Sequence, residues 1–155
     1  MNRKPIFLSG FILCLALLTA CHGSKGKTNL NKGTPVPSPD AEKTTVIGSV
    51  FSTTTNKPYP GASVWLAEVY RQGGEGAYVL DSVASPGVYA DEEGVFVIAN
   101  VDPKEYVIVI GNPEGAYEVI PDDKGRARVW QTEAGKILDV GQLKVKLVPP
   151  PTPKP

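Results

Sequence analysis

The sequence predicts an all-β domain over residues 44–148, a seven- to eight-stranded antiparallel β-sandwich. Three observations predict it. Short runs rich in β-branched and aromatic residues recur through the stretch, each set off by Gly, Pro, Asn or Asp. No apolar repeat of helical period holds for any useful length. The stretch is also long enough to bury one core and too short for two.

Thr45 to Ser52 reads as the first strand, with Val46, Gly48 and Val50 on one face and Ile47, Ser49 and Phe51 on the other. Asn56-Lys57-Pro58-Tyr59-Pro60-Gly61 turns the chain. Ala62 to Arg71 follows, with Val64, Leu66 and Glu68 on one face and Trp65, Ala67 and Val69 opposite. Gln72-Gly73-Gly74-Glu75-Gly76 is a hairpin tip, and Tyr78 to Val83 is the returning strand. Asp91-Glu92-Glu93-Gly94 is a turn whose Gly can take positive φ. Val95 to Ala99 leads from it to a bend at Val101-Asp102-Pro103-Lys104. Tyr106 to Ile110 is nearly all apolar, which predicts a central strand buried on both faces. Tyr117 to Ile120, Ala127 to Thr132 and Val140 to Val148 complete the set. In the last, Leu143, Val145 and Leu147 point inward while Lys144 and Lys146 point out.

The flanks are different in kind. Arg3 and Lys4 precede an apolar run from Ile6 to Leu18, which is shorter than the about 20 residues a membrane span needs. A basic start, a short apolar run and small residues at a cut site make residues 1–20 a secretory signal. Residues 21–43 are Gly, Ser, Thr, Asn, Lys and Pro with almost nothing to bury, a flexible tether. Residues 149–155 are Pro-rich and favour extended polyproline II.

Charge and cysteine usage exclude several functions. Sixteen basic and sixteen acidic residues balance to zero, and loss of Arg3 and Lys4 with the signal leaves a mildly acidic chain. No cationic patch for nucleic acid is present in that balance. Cys14 leaves with the signal, Cys21 stands at its cut site, and His22 is the one histidine. The domain therefore has no thiol or imidazole for a nucleophilic triad or a zinc site. We expect no enzyme activity and no cofactor.

Binding residues remain. Trp130, flanked by Arg128 and Gln131, is expected to be an exposed aromatic contact alongside Tyr89 and Tyr117, with Trp65 in the core. These rings could stack sugar rings or peptide side chains. Asp91, Glu93 and Asp102 supply hard oxygen ligands for calcium if their loops converge, the plainer reading being solvated turn residues. The loops 71–77, 86–93 and 121–126, or a free sheet edge, would make contact with a partner.

Two resemblances add to this reading. Leu18-Thr19-Ala20-Cys21 resembles the lipobox of a bacterial lipoprotein, with an ordinary cleaved signal beside a chance Cys as the alternative. The resemblance implies a thioether-linked diacylglyceryl group on Cys21, cleavage before it, and a membrane partner held through that lipid. With His22 and not Asp following, it also implies the outer membrane in a two-membrane envelope, and otherwise the outer face of the cell membrane. Within the domain, Ile47-Gly48-Ser49-Val50 and Lys57-Pro58-Tyr59-Pro60-Gly61-Ala62-Ser63-Val64-Trp65-Leu66 resemble the opening strands of a carboxypeptidase regulatory-like domain. Ala90-Asp91-Glu92-Glu93-Gly94-Val95-Phe96 and Asn100-Val101-Asp102-Pro103-Lys104-Glu105-Tyr106 are similar to that family's acidic turn and Pro-containing bend, with Lys104 where Gly is usual. The resemblance implies a transthyretin-like sandwich serving as an accessory module. The expected role is a non-catalytic binding or scaffold module at the cell envelope, for an envelope protein or, alternatively, a surface glycan.

Overall fold

Ten strands form among residues 34–149, the part that the computed structural model describes. They are β1 (Thr44–Ser52), β2 (Lys57–Pro58), β3 (Ser63–Gln72), β4 (Glu75–Val79), β5 (Gly87–Tyr89), β6 (Val95–Val101), β7 (Glu105–Gly111), β8 (Tyr117–Val119), β9 (Val129–Gln131) and β10 (Ile137–Val145). The fold class is all-β, two sheets packed face to face. In the first sheet β1 is central, with β10 along one edge and β6 then β2 along the other. In the second, β3 and β7 are central; β4 and β5 share the free edge of β3, and β8 and β9 share that of β7.

The strand count exceeds the expected seven or eight because edges are divided between short pieces. β2 and β5, both unforeseen, have two and three residues. One pairing also departs from the antiparallel expectation: β10 runs parallel to β1, from Thr45 opposite Ile137 to Ser52 opposite Val145. The chain crosses between sheets after β9 and arrives beside the start of β1, so both strands set out from the same end. Gly73 and Gly74, at φ 60 and 89, close the β3–β4 hairpin in two residues. That tight turn starts β4 at Glu75, earlier than Tyr78.

Period-two alternation fills the space between the sheets. Val46, Val50, Val64, Leu66, Phe96, Ile98, Ile108, Ile110, Leu143 and Val145 form one cluster there, each nearly or fully buried. Each such side chain contributes about 1.5–3 kcal/mol. Gly48 is inward too, and has to be Gly: a Cβ there would lie 2.7 Å from Val140 and 2.8 Å from the Phe96 ring. As expected, every residue from Tyr106 to Ile110 is buried.

The folded part begins before residue 44. Thr45 Oγ1 donates to the Pro37 carbonyl at 3.3 Å, and the Thr34 hydroxyl donates to Asp91 Oδ2. Residues 34–43, expected within the tether, thus run back along the outside of the first sheet. Two poles result. Thr34 meets Asp91 at the pole where the Tyr59 hydroxyl donates to the Val148 carbonyl, so the described chain starts and finishes at one end. The far pole, roughly 30 Å away along nine-residue β1, carries Lys43, the 100–104 bend and the β3–β4 hairpin. The expected signal, Cys21 and the tail beyond residue 149 lie outside the described residues.

Candidate functional site

A sandwich buries one face of each sheet and shows the other to solvent, so outward positions should be polar. In the second sheet they are not. Register places Trp65, Ala67 and Val69 of β3 beside Val107 and Val109 of β7 on the outer face. Val119, Leu80 and Ala127 pack around them as a second apolar cluster. Ala67, Val107 and Val109 are as buried as the core proper.

Aromatic rings stand at both ends of this face. Nearest the chain-end pole, one row crosses four strands. Tyr89 pairs with Ser63, the Ser63 hydroxyl donates to the Gly111 carbonyl at 2.7 Å, and Gly111 pairs with Tyr117. Tyr89 and Tyr117 are 76% and 51% exposed, and two of the smallest residues lie between them. Three strand spacings separate the two tyrosines, about 14 Å between Cα atoms. The row is a trough with aromatic walls. Below it the Trp65 ring lies over Gly87, where an added Cβ would come within 2.5 Å of the ring. The Trp65 indole N–H is buried with no hydrogen-bond partner among the described residues, and so gives this side chain no polar contribution to offset its desolvation.

Toward the far pole the same face opens into a cavity of about 530 Å³. Val69 and Val107 are its floor, Tyr78 one wall, and the segment Arg126 to Val129 the other. Two rim cations are tied to acids. Arg71 grips both oxygens of Glu105, and Arg126 grips Asp122. The Arg71 hydrogen bond holds the Glu105 carboxyl below its ordinary range, and the backbone amide of Arg126 does most to lower Asp122. The third, Arg128, places its guanidinium 5.0 Å from the centre of the Trp130 ring.

The expected binding residues separate. Tyr89 and Tyr117 share the trough. Trp130 is corrected: it pairs with Tyr106, faces inward and is 7% exposed, while Trp65 is the tryptophan on the outer face. Neighbouring charge suggested exposure at Trp130, but strand register set its direction. The metal trio does not assemble. Asp91 and Asp102 lie at opposite ends of β6, because successive connections of an antiparallel pair alternate ends. Asp91 Oδ1 instead caps its own turn, accepting the amides of Glu93 at 3.0 Å and Val95 at 2.8 Å, and Glu93 is exposed. Asp102 pairs with Lys43 at 2.6 Å, a bond that holds its carboxyl below the usual range. Among the described residues no cluster of three or more His, Cys, Asp or Glu is placed to hold a metal ion. The outer cluster escaped sequence reasoning as a site, although its signal was present: Trp65-x-Ala67-x-Val69 and Val107-x-Val109 are apolar on the face that should be polar.

No known protein family's sequence profile matches the chain, and no curated protein does. Among solved structures it is similar to a lipoxygenase from Cyanothece PCC8801, at 17% identity over 74% of this chain and 18% of that one, with TM-score 0.38. It is similar to the dioxygenase domain of a dioxygenase carbohydrate-binding protein fusion from Streptomyces sp. SirexAA-E, at 15% identity over 74% and 86%, TM-score 0.41. The major pilin subunit of Bacillus cereus is a third, at 14% identity over 68% and 30%, TM-score 0.37. The chain spans under a fifth of the lipoxygenase's length. Likenesses this loose transfer neither ligand nor activity.

Proposed function

We propose that the chain is a membrane-anchored, non-catalytic binding or scaffold module of the cell envelope. Lipid on Cys21 holds it, and a protein partner docks on the outer face of the second sheet. One observation carries the docking surface: the apolar outer cluster with exposed Tyr78, Tyr89, Tyr117 and Val129 around it. Exposed apolar side chains gathered around one face mark interaction sites, and tyrosine is enriched in them. The non-catalytic reading is supported by Asp91, which caps its turn, by Glu68, Asp102, Glu105 and Asp122, which pair with Lys or Arg, and by the lack of His and Cys in residues 34–149. The carboxypeptidase regulatory-like reading of the domain fits the bend, where the buried Tyr106 hydroxyl donates to the Asp102 carbonyl at 3.1 Å.

A second reading, glycan binding by exposed aromatics, is favoured by the Tyr89–Ser63–Gly111–Tyr117 row, whose narrow floor and ring walls suit a sugar chain. Crosslinking in intact cells, with a tag after Pro155, separates the two. A discrete protein adduct lost in the Tyr89→Ala/Tyr117→Ala double variant supports docking. Polysaccharide-induced tryptophan fluorescence shifts lost in the same variant support the glycan reading. The anchor is tested by Cys21→Ser, which should move the protein from the membrane fraction to the soluble one; membrane retention would refute it.

A further inference from the structure

The far pole holds a cleft that the proposed docking face does not use. Its volume is about 400 Å³, and it opens between the 80–86 loop, the outer half of β3 and the 100–104 bend. Buried Leu66, Val101 and Tyr106 form its floor. Its walls are polar: Glu68, Asp81, Asp102, Lys43 and Lys104, beside the exposed ring of Tyr70.

Each polar group is held in place. Lys104 Nζ donates to Glu68 Oε2 at 2.8 Å, and Lys43 Nζ to Asp102 Oδ1 at 2.6 Å. Asp81 Oδ1 accepts the amides of Val83 and Ala84 at 2.8 and 3.1 Å, which fixes the loop above the cleft. Asn100, on the rim, has φ 57, a left-handed conformation that few non-glycine residues adopt. One oxygen of each carboxylate is engaged in these bonds. The other, Glu68 Oε1, Asp81 Oδ2 or Asp102 Oδ2, has no hydrogen-bond partner among the described residues. Both ammonium groups keep protons to donate.

We infer that this cleft binds a neutral, hydroxyl-rich ligand, the end of an uncharged oligosaccharide. A hydroxyl both donates and accepts, and an ammonium touching a carboxylate offers it both functions at once. Two neighbouring hydroxyls of a sugar can span such a pair, and the cleft holds two pairs. Three carboxylates against two ammoniums leave no positive excess for a polyanion, while the lysines already bonded to the acids oppose a polycation. The Tyr70 ring supplies the flat apolar wall that the C–H face of a sugar needs. This site is separate from the proposed docking face and does not depend on the anchor.

The test is calorimetric titration of the full chain with neutral tetrasaccharides from β-glucan, chitin, mannan and xylan, and with a uronic tetrasaccharide as the charged control. At least one neutral sugar should bind. Tyr70→Ala and Glu68→Gln should each weaken it by about tenfold, roughly the loss of one good contact, with unchanged melting temperature, while Tyr89→Ala leaves it intact. Absence of binding to every neutral sugar overturns the inference, as does binding of the uronic sugar alone. So does binding that falls with Tyr89→Ala but not with Glu68→Gln, which would move the sugar to the second sheet's face. Absence of any discrete crosslinked protein partner, with this binding retained, would refute the docking proposal and leave the cleft standing.

Discussion

The outer faces of the two sheets begin from the same sequence pattern and end differently. Both carry apolar residues where a solvated sheet would be polar: Ile47 and Val95 in the first, Trp65, Val107 and Val109 in the second. On the first sheet the chain covers its own face. Thr45, Ile47 and Val95 are 0%, 5% and 7% exposed, and Val36 and Pro39 of the returning segment are partly buried alongside. On the second sheet only neighbouring side chains cover the centre, and tyrosines are left standing at both ends. An outward apolar residue is therefore ambiguous until the path of the rest of the chain is known. On both faces the central apolar residues are buried, and the difference lies at the rim, which the returning chain covers on the first sheet and exposed tyrosines mark on the second.

The largest expected effect breaks this comparison directly. Ile47→Asp would bury an unpaired charge under residues 34–40 and cost about 4 kcal/mol. Val129→Asp on the exposed rim of the second sheet should stay within about 0.5 kcal/mol. Equal losses in denaturant unfolding would show that the two faces are covered alike.

Glycines sharpen it next. Gly48→Ala drives a Cβ into Val140 and Phe96 inside the sandwich and should cost about 1–3 kcal/mol. Gly87→Ala meets Trp65 at a still shorter distance, yet that ring is only partly buried on the outer face and can swing outward. The smaller melting shift is expected at Gly87, with a change in tryptophan emission that Gly48→Ala lacks.

Thr45→Val tests the covering segment itself. Loss of its hydrogen bond to Pro37 should cost about 1 kcal/mol and speed proteolytic cleavage within residues 34–40. Unchanged cleavage would mean that other contacts hold the segment.

pH tests a buried and an exposed titratable group separately. Burial pushes the Tyr106 phenol, in the inner cluster, up to about 12 from 10.0. A raised folded-state value favours the neutral form, so its contribution is complete below pH 10 and is lost between pH 10 and about 12. Tyr106→Phe should flatten the fall of the unfolding midpoint over that window. Asp102 has the opposite sign: lowered first by its hydrogen bond to Lys43, it contributes above the ordinary carboxylate range and is lost as pH falls through its folded value.

A small effect is also expected at Trp65→Phe. The indole N–H lost there has no partner, so its removal offsets much of the lost packing, and stability should change by less than about 1 kcal/mol. A larger loss would mean that the N–H is satisfied in solution.

Much of the fold was legible because alternation needs no knowledge of topology. Val46, Gly48 and Val50 share one face as read, and Leu143 and Val145 point inward as read. Tyr106 to Ile110 is buried on both faces as its unbroken apolar run predicted. Turn chemistry was equally local: Gly94, at φ 76, takes the left-handed conformation expected of it. The site was less legible. Tyr89 and Tyr117 were named as contacts singly; their shared row was not. Trp130 and Trp65 were placed the wrong way round, because the polarity of near neighbours says nothing about which face a strand turns inward.

By itself, then, the sequence determined the long strands, the alternation along them and their turns, since those follow from period and from φ preferences within a few residues. Tertiary structure alone decided what lay against each face. The parallel docking of β10, the return of residues 34–43 over the first sheet, the separation of Asp91 from Asp102 and the meeting of Glu68, Asp81 and Asp102 at one cleft all join residues far apart in the chain. Such meetings depend on which sheet each connection crosses to, and no local pattern encodes that choice.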